Sequence, residues 1–504
     1  MIEHDKNFIN KNSFSLILLT LSFLCITAYS IFVTSSQYQT GYYHFHDLGL
    51  INDWITNAIK GNPFYVTDYD INHLGKHFTP SLLILFPFYL ITNSQYILIF
   101  FGCLSMGWIF LESTFLIEIY SKIEFNYVFK NRWTYSLICL SSALFTSNSF
   151  VKTNLISGHF EIFAIPLIIR LTRYFMLQKN DWIFYVLLLL TLGIRQDVGL
   201  FLTFLLIGTS LKLSNIREKR IFAIRTLLII ILISIMWLFI SVKVIMPFYS
   251  GGSDTNIGLW QSWGSTYPEI IVGFLTHPMK LLDYILNNSA ATDLFKSFGF
   301  IFLIHPLSFV TAHIPSILIY TMDRVETREL YWYNSAFLIP SCLVFSLFSV
   351  SSLLKWVDQK SDLKLNYFFL TLLISLLVIV IPETHASPDY YIRPVSQYQR
   401  TVERRIHNLT KKCIKNTKIS SDLVTFVYLP LSSEKFLLRN WKSSDLIIFN
   451  PIHDLSISGL ESGQDIITEI KNDGFEEVLF DSKILVYYRP QSNQCSFDES
   501  NFQS

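Results

Sequence analysis

The 504-residue sequence has few charged residues: they make up 15% of the chain, and 39 basic residues almost balance 38 acidic ones. The net charge of +1 gives no broad basic surface, so the composition predicts no nucleic-acid partner. The six cysteines show no paired metal-binding spacing. The sequence also lacks a glycine-rich phosphate loop and a Gly-x-Ser-x-Gly nucleophile elbow. These absences exclude the common zinc, nucleotide and serine-hydrolase motifs.

Hydrophobic residues are abundant instead: they make up 51% of the chain and recur in runs from Phe14 to Pro382. Several runs approach the roughly 20 residues that a spanning helix needs. Lys6 and Lys11 precede the first run without a small-residue cleavage site after it, which predicts an uncleaved first span and a cytoplasmic N-terminus. With Ser81–Ile91 taken as a segment that does not cross, the basic loops predict about eleven transmembrane helices and an external C-terminus.

The composition becomes more polar after Pro382, where short segments read as strands and helices. We therefore predict an all-α polytopic membrane domain over residues 1–382 and a small external α/β domain over 383–504. External loops are predicted at 34–80 and 246–297. Cys413 and Cys495 lie in the polar region and could pair in an oxidising compartment, which the sequence leaves open. The predicted elements of the α/β domain are strands at Leu423–Leu429, Leu446–Phe449 and Ile484–Tyr488, and a helix at Asp465–Lys471.

The loop Gly41–Pro80 is far more polar than the two apolar segments beside it. Within it, apolar residues at helical spacing predict a short amphipathic helix that Asp47 caps and Gly61 ends. We expect this helix to lie flat on the membrane, with its apolar face down and Asp47 just above the lipid. The apolar residues at helical spacing are Leu48, Ile51, Ile55 and Ile59.

The sequence FHDLGLINDWITNAIKGNPFY, followed by NHLGKHFTPSLLILFPFY, resembles the domain-of-unknown-function 2079 family of membrane proteins. That family is related to the GT-C glycosyltransferases, which take sugars from polyprenyl-phosphate carriers. The resemblance implies a GT-C-like architecture in a prokaryotic cytoplasmic membrane. It also implies transfer of a sugar from a polyprenyl-phosphate donor to an unknown acceptor at the external face. Besides the lipid donor, the expected partners are membrane lipids.

The resemblance also implies site residues. Asp47 matches the aspartate that serves the reaction centre of GT-C enzymes, and a carboxylate there suits a catalytic base. The alternative for Asp47 is a helix cap. The other implied residues lie in SGHFEIFAIP, LGIRQDVGL and DRVETRELYWYNSAFLIP, where they would bind the donor phosphate or line the cavity. These substrate-binding candidates are Arg195, Asp197, His159, Glu161, Arg328 and Tyr333.

Two of these motifs depart from the family pattern. Phe160 stands where the family has proline, and Gln196 stands where it has glutamate, so a role that needs a carboxylate at Gln196 is not expected. Arg195 and Asp197 have the alternative of a structural ion pair at a helix end. The arginine and tyrosines near Arg328 have the alternative of an interfacial belt.

A divalent metal ion is a further hypothesis. His73 and His77 are four residues apart, a spacing that places two imidazoles on one helical face, and Asp70 is the nearest carboxylate of an Asp-x-Asp sequence. Structural hydrogen bonding is the alternative for these residues, and the sequence predicts no other cofactor.

Two other functions remain open from the sequence alone. A transporter or lipid flippase would place ionisable groups near the midplane of broken helices and show repeated halves, whereas here the charges lie at span ends. A non-catalytic membrane scaffold remains open because Gln196 replaces a carboxylate.

Overall fold

The computed structural model is predominantly helical. It describes residues 13–39, 46–92, 96–129, 132–156, 159–212, 217–251, 257–287, 298, 305, 307–323, 336–359, 406, 408–411, 413, 417–426, 428–429, 433–450, 463–481, 484–492 and 495.

The described part of the membrane domain contains fifteen α-helices. They are α1 (Ser13–Gln39), α2 (His46–Ile59), α3 (Phe86–Thr92), α4 (Tyr96–Phe125), α5 (Arg132–Thr146), α6 (Ser149–Ile156), α7 (Ala164–Met176), α8 (Trp182–Leu192), α9 (Val198–Lys212), α10 (Arg217–Ile240), α11 (Met246–Tyr249), α12 (Tyr267–Thr276), α13 (Pro278–Leu286), α14 (Leu307–Tyr320) and α15 (Ile339–Asp358). A hairpin of β1 (Tyr65–Val66) and β2 (Ile71–Asn72) follows α2.

Four helices in the described part of the chain are long and apolar enough to cross a membrane. Two of them, in α4 and α15, are mostly buried in the protein, whereas the other two are mostly exposed. The predicted span at Tyr135–Phe150 is divided between α5 and α6. The total of eleven crossings therefore stays a prediction. The four candidate spans are Phe14–Gln39, Tyr96–Phe125, Ile221–Tyr249 and Ile339–Trp356.

The predicted amphipathic helix exists as α2, and Gly61 follows it with a positive φ of 95°. The expected position of its apolar face on the lipid is wrong. Leu48, Ile51 and Ile55 are buried in the protein core, and only Ile59 is exposed. The face is covered because α2 packs against β1, against α3 and against a short helix of the C-terminal region.

The predicted loop at 246–297 contains helical structure where it is described. A turn of π-helix at Ser241–Ile245 continues α10 into α11, and α12 and α13 form a pair of short helices. Pro278 begins α13 directly after His277, which ends α12. Apolar side chains of this pair are exposed, among them Leu275 at 76% and Met279 at 75%. The surface of these two helices is therefore less polar than expected for an external loop.

The C-terminal region forms a five-stranded mixed sheet in the order β4-β3-β5-β7-β6. β3 is parallel to β4 and β5, whereas β7 is antiparallel to β5 and β6. The strands are β3 (Lys418–Ser421), β4 (Glu434–Leu437), β5 (Leu446–Phe449), β6 (Glu476–Asp481) and β7 (Ile484–Tyr488), with α16 at Leu423–Phe426 and α17 at Gly463–Asn472.

Two predicted strands and the predicted helix of this region are present, but the strand predicted at Leu423–Leu429 is wrong. Its first residues form the helix α16, because the buried Asp422 carboxylate accepts hydrogen bonds from the Thr425 amide and hydroxyl. Three strands, β3, β4 and β6, were missed.

Cys413 and Cys495 form a disulfide, and the two residues also make an isolated antiparallel bridge. The bond joins the segment before β3 to the segment after β7. It therefore ties the two ends of the C-terminal sheet (β3–β7) to each other.

Asp68 connects the C-terminal sheet to the loop after α2. Its buried carboxylate accepts hydrogen bonds from the Leu437 amide, from the Arg439 guanidinium at 2.6 Å and from the Asn440 side chain at 3.2 Å. Tyr428 adds a hydrogen bond to the Tyr38 carbonyl at the end of α1. The sheet is thus fixed to the membrane domain at the loop predicted to hold the site.

Replacement of Asp68 by asparagine is expected to loosen this contact. Hydrogen bonds to charged groups contribute about 1.5–3 kcal/mol each, and the amide loses the charge that faces Arg439. We expect faster hydrogen exchange and proteolysis in residues 433–443 with little change in α4. The control is Asp70→Asn, since Asp70 contacts Tyr65 within its own loop. Equal exchange in both variants would contradict a connecting role for Asp68.

Candidate functional site

Asp47 lies in the first turn of α2, which begins at His46. The unpaired amides of a first helical turn favour a carboxylate at this position. The structure also gives Asp47 a partner outside the helix: its Oδ2 lies 2.6 Å from Nε2 of His159. The Asp47 side chain is 39% exposed, so the carboxylate is both held in place and accessible.

His159 directly precedes a single 3₁₀ turn, Phe160–Phe163, which contains Glu161. Nδ1 of His159 lies 3.1 Å from Oε2 of Glu161, so a carboxylate faces each ring nitrogen. Burial by itself lowers the pKa of His159, but the charges of Asp47 and Glu161 outweigh it and raise that pKa from 6.5 to about 10. The imidazole is therefore a cation at neutral pH, with a carboxyl group facing each of its nitrogens.

A histidine whose pKa rises on folding stabilises the folded state fully below its unfolded pKa and loses that contribution as the pH passes the folded pKa. For His159 this window runs from about 6.5 to about 10. We expect the unfolding temperature of the protein in lipid nanodiscs to fall across this window. The fall should be smaller in His159→Gln, whereas the exposed His277→Gln should behave as the unchanged protein. Identical pH profiles for both variants would show that His159 is not charged in the folded state.

Arg195 lies in the turn between α8 and α9 and adds a positive charge next to Glu161. Its Nε and Nη2 donate to the two oxygens of Asp197, both at 2.7 Å, and its Nη1 lies 3.5 Å from Oε1 of Glu161. The guanidinium also lies over the Phe337 ring, 4.3 Å from its centre. Arg195 is 6% exposed, so its charge is used within the protein. The alternating acids and bases form what we term the Asp47 cluster: Asp47, His159, Glu161, Arg195 and Asp197.

The turn that carries Arg195 is attached to the end of the loop after α2. The Gln196 side chain accepts a hydrogen bond from the Phe78 amide at 3.2 Å, and the Ser81 amide donates to the Gly193 carbonyl at 3.0 Å. A Cβ at Gly193 would collide with the Ser81 hydroxyl, so the close approach requires glycine. Gln196 thus helps to hold the two segments together.

His73 and His77 lie beside the cluster. His73–Gly75 is a single 3₁₀ turn, so the α-helical face predicted from their spacing is not formed. Burial lowers the pKa of both imidazoles, that of His73 to about 4, which keeps them neutral. The His73 ring stacks on Trp54, with centres 5.8 Å apart.

These residues do not fit the metal hypothesis as a set. Asp70 Oδ1 accepts a hydrogen bond from the Tyr65 hydroxyl at 2.7 Å instead of joining the two imidazoles. No group of three or more histidine, cysteine or acidic side chains suited to a metal occurs within the described ranges. We derive no catalytic step through a metal at His73 and His77.

The remaining predicted residues, Arg328 and Tyr333, lie outside the described residues. Phe337 is a contact that sequence reasoning missed. It is one of many phenylalanines in an apolar run, so no local signal marks it as the residue beneath Arg195.

Comparison with known proteins gives a family and distant structural likenesses. A family model described as "Predicted membrane protein (DUF2079)" matches residues 39–427. No curated protein matches the chain.

Two solved structures are similar at 10% identity. ArnT from Cupriavidus metallidurans bound to undecaprenyl phosphate gives a TM-score of 0.41, covering 94% of this chain and 98% of that one. The archaeal oligosaccharyltransferase AglB from Archaeoglobus fulgidus, in complex with an inhibitory peptide and a dolichol-phosphate, gives 0.43, covering 95% and 75%. Likeness at this level carries no statement about activity.

The family match spans well over half of the chain, and it includes α2, Asp47 and the whole of the Asp47 cluster. The chain belongs to the DUF2079 family of predicted membrane proteins.

Proposed function

We propose that this protein is a membrane glycosyltransferase that moves a sugar from a polyprenyl-phosphate donor to an acceptor hydroxyl at the membrane surface. The observation that carries the proposal is the Asp47 cluster. It offers an accessible carboxylate at the start of a helix, fixed by a buried imidazolium, in the loop between two long apolar helices. The class of donor comes from the sequence resemblance to a family related to GT-C enzymes.

In the proposed reaction, Asp47 accepts the proton of the acceptor hydroxyl. At the same time the oxygen of that hydroxyl forms a bond to the anomeric carbon of the sugar. The bond between that carbon and the phosphate oxygen breaks, and the polyprenyl phosphate leaves with the electron pair. A phosphate is a good leaving group, so the step needs one base and positive charge but no strong acid. The proton ends on Asp47 and passes to solvent.

His159 orients the base in this scheme. Its Nε2 fixes one oxygen of Asp47, and Glu161 on the other side fixes the ring. Glu161 also balances the positive charge of the imidazolium, which is a physical reason for a carboxylate on each side of the ring.

Arg195 contributes positive charge next to this dyad, and that charge would attract the proposed donor phosphate. Arginine suits phosphate because its planar fork donates several hydrogen bonds. Asp197 holds one edge of the guanidinium with two hydrogen bonds, which orients the fork. Arg328 and Tyr333 remain further proposed contacts to the donor.

A second candidate function is a non-catalytic scaffold. The observation that favours it is that Glu161, Arg195 and Asp197 engage one another, as the members of a structural cross-link do.

Turnover separates the two functions. The purified protein in lipid nanodiscs would be given a panel of polyprenyl-phosphate sugars with short oligosaccharides as acceptors, and the released carrier phosphate would be measured. Release above the rate in empty nanodiscs supports the enzyme. Absence of release across pentose, hexose and amino-sugar donors contradicts it and favours the scaffold.

A further inference from the structure

A cavity of about 650 Å³ lies between the loop after α2 and the edge of the C-terminal sheet. One wall is the end of α2 with the β1–β2 hairpin, and the other is β4 with the start of β3 and the turn after β4. The volume lies within the range of about 300–1,000 Å³ typical of small-ligand pockets. None of the residues that form the Asp47 cluster lines it.

Many of the polar side chains in this cavity have no protein partner. Among the described residues, five lining side chains make no hydrogen bond or ion pair, and they comprise an amide, a hydroxyl, a carboxylate and two ammonium groups. Four of them are exposed and Glu434 is partly buried, so water satisfies these groups until a ligand displaces it. The five are Lys60, Asn62, Lys418, Glu434 and Ser443.

The mixture of groups selects the class of ligand. The lining offers both donors and acceptors, including two ammonium groups and three carboxylates, which suits hydroxyl groups because each hydroxyl both donates and accepts. A polyanion would meet the carboxylates of Asp68, Asp70 and Glu434, and a lipid chain would leave the polar groups buried without partners. The rings of Tyr65 and Phe436 supply apolar faces on opposite walls.

The cavity is held in shape by contacts already described. Asp68 joins its two walls through Leu437, Arg439 and Asn440. Asn57 donates to the Tyr65 carbonyl at 2.9 Å and to the Thr67 hydroxyl at 3.0 Å, which fixes the hairpin against α2. A rigid site loses less freedom when a ligand binds.

Tyr69 connects this cavity with the Asp47 cluster. Its ring lies between the ammonium of Lys76 at 4.2 Å and the guanidinium of Arg439 at 4.7 Å. Lys76 directly follows the turn His73–Gly75, which lies beside the Asp47 cluster. A ligand long enough to pass Tyr69 would therefore approach Asp47.

We propose that this cavity binds the acceptor, and that the acceptor is an uncharged, hydroxyl-rich molecule such as an oligosaccharide. That the bound molecule is the acceptor rests on the proposed function. That the cavity binds a hydroxyl-rich molecule does not. A bound oligosaccharide presents a terminal hydroxyl past Tyr69 to Asp47, and the remaining sugars fill the space between hairpin and sheet.

Direct binding tests the proposal. The full-length protein in nanodiscs would be titrated with short malto-, manno- and chito-oligosaccharides, with a heparin fragment as the polyanionic probe. Asn62→Trp and Ser443→Trp place a large ring at opposite walls of the cavity. We expect each to weaken binding of the neutral probe about tenfold or more. The matched control is Asn472→Trp, at an exposed asparagine outside the cavity, and it should bind as the unchanged protein does.

Glu434→Gln completes the design. This variant keeps the size of the side chain and should weaken binding about threefold to tenfold, because a carboxylate accepts stronger hydrogen bonds than an amide. Neutral binding without turnover of any donor would support the cavity while the proposed function fails. Binding of none of the neutral probes, preference for heparin, or equal binding by the tryptophan variants and Asn472→Trp would each overturn the inference.

Discussion

Replacement of Asp47 by asparagine is expected to lower the turnover of a polyprenyl-phosphate sugar by about 10²–10⁴-fold, the usual contribution of a positioned general base. The amide keeps the size of the side chain and still accepts a hydrogen bond from His159, but it cannot take the proton of the acceptor. We expect the loss in kcat, with little change in the apparent affinity for donor, because the base acts in the transition state. The measurement is release of carrier phosphate at saturating donor.

The control for this variant is Asp283→Asn, which removes an acid from α13, where Asp283 contacts Asn287 in its own helix. It should turn over donor at the unchanged rate. Loss of the Asp47–His159 ion pair will also lower the unfolding temperature, so rates are compared at a temperature where both variants are folded. If the Asp47→Asn protein is less stable but equally active, the role of Asp47 is structural: it stabilises the first turn of α2 and pairs with His159.

Removal of Arg195 is expected to have the largest effect on stability. Arg195→Gln takes away the guanidinium that faces Asp197 and Glu161, and it leaves Glu161, which is 2% exposed, with His159 as its one described ionic partner. Breaking a buried ion pair from one side costs about 3–5 kcal/mol. We expect a markedly lower unfolding temperature in nanodiscs and a lower yield from membranes. The unfolding temperature of Arg195→Lys should lie between those of Arg195→Gln and the unchanged protein, because lysine keeps the charge but lacks the planar fork of donors.

Two further variants show whether the burial of the charge causes the loss. Arg489→Gln breaks an exposed pair, Arg489–Asp473, that is 3.0 Å long, and such pairs contribute at most about 1 kcal/mol. The double variant Arg195→Gln, Glu161→Gln removes both charges and should be more stable than Arg195→Gln alone. Equal losses in Arg195→Gln and Arg489→Gln, or no recovery in the double variant, would mean that the Glu161–Arg195 contact is unimportant for stability.

The parts of this fold that the sequence predicts are those determined by local chemistry. The spacing of apolar residues predicts α2, and a glycine with positive φ ends it. Short β-branched runs predict β5 and β7. The strand at Leu423–Leu429 was wrong for an equally local reason, since the Asp422 cap outweighs the strand preference of the residues that follow. β4, with Lys435 and Glu434 in four residues, carries no pattern that marks it as a strand.

The members of the Asp47 cluster were predictable in identity but not in arrangement. The resemblance to the DUF2079 family pointed to Asp47, His159 and Arg195, and the structure brings these residues together. Nothing in the sequence indicates that His159 lies between two carboxylates, or that Arg195 turns to Asp197 and Glu161. These contacts depend on how helix ends that are distant in the sequence come together in the fold. Their chemical roles stay predictions until turnover is measured.

The contact between the C-terminal sheet and the loop after α2 also determines the order in which the protein can be completed during synthesis. Asp68 and its partners are separated by 369 to 372 residues, and Tyr428 and Tyr38 by 390. At about 5–20 residues per second, the ribosome delivers the sheet roughly 20 to 80 seconds after the loop. Until then, Asp68 and the part of α2 that packs against α16 lack their C-terminal partners. A chaperone or protease that recognises this surface would therefore distinguish finished chains from prematurely terminated ones. In a shortened chain, the loop after α2 would stay without the C-terminal sheet that covers it.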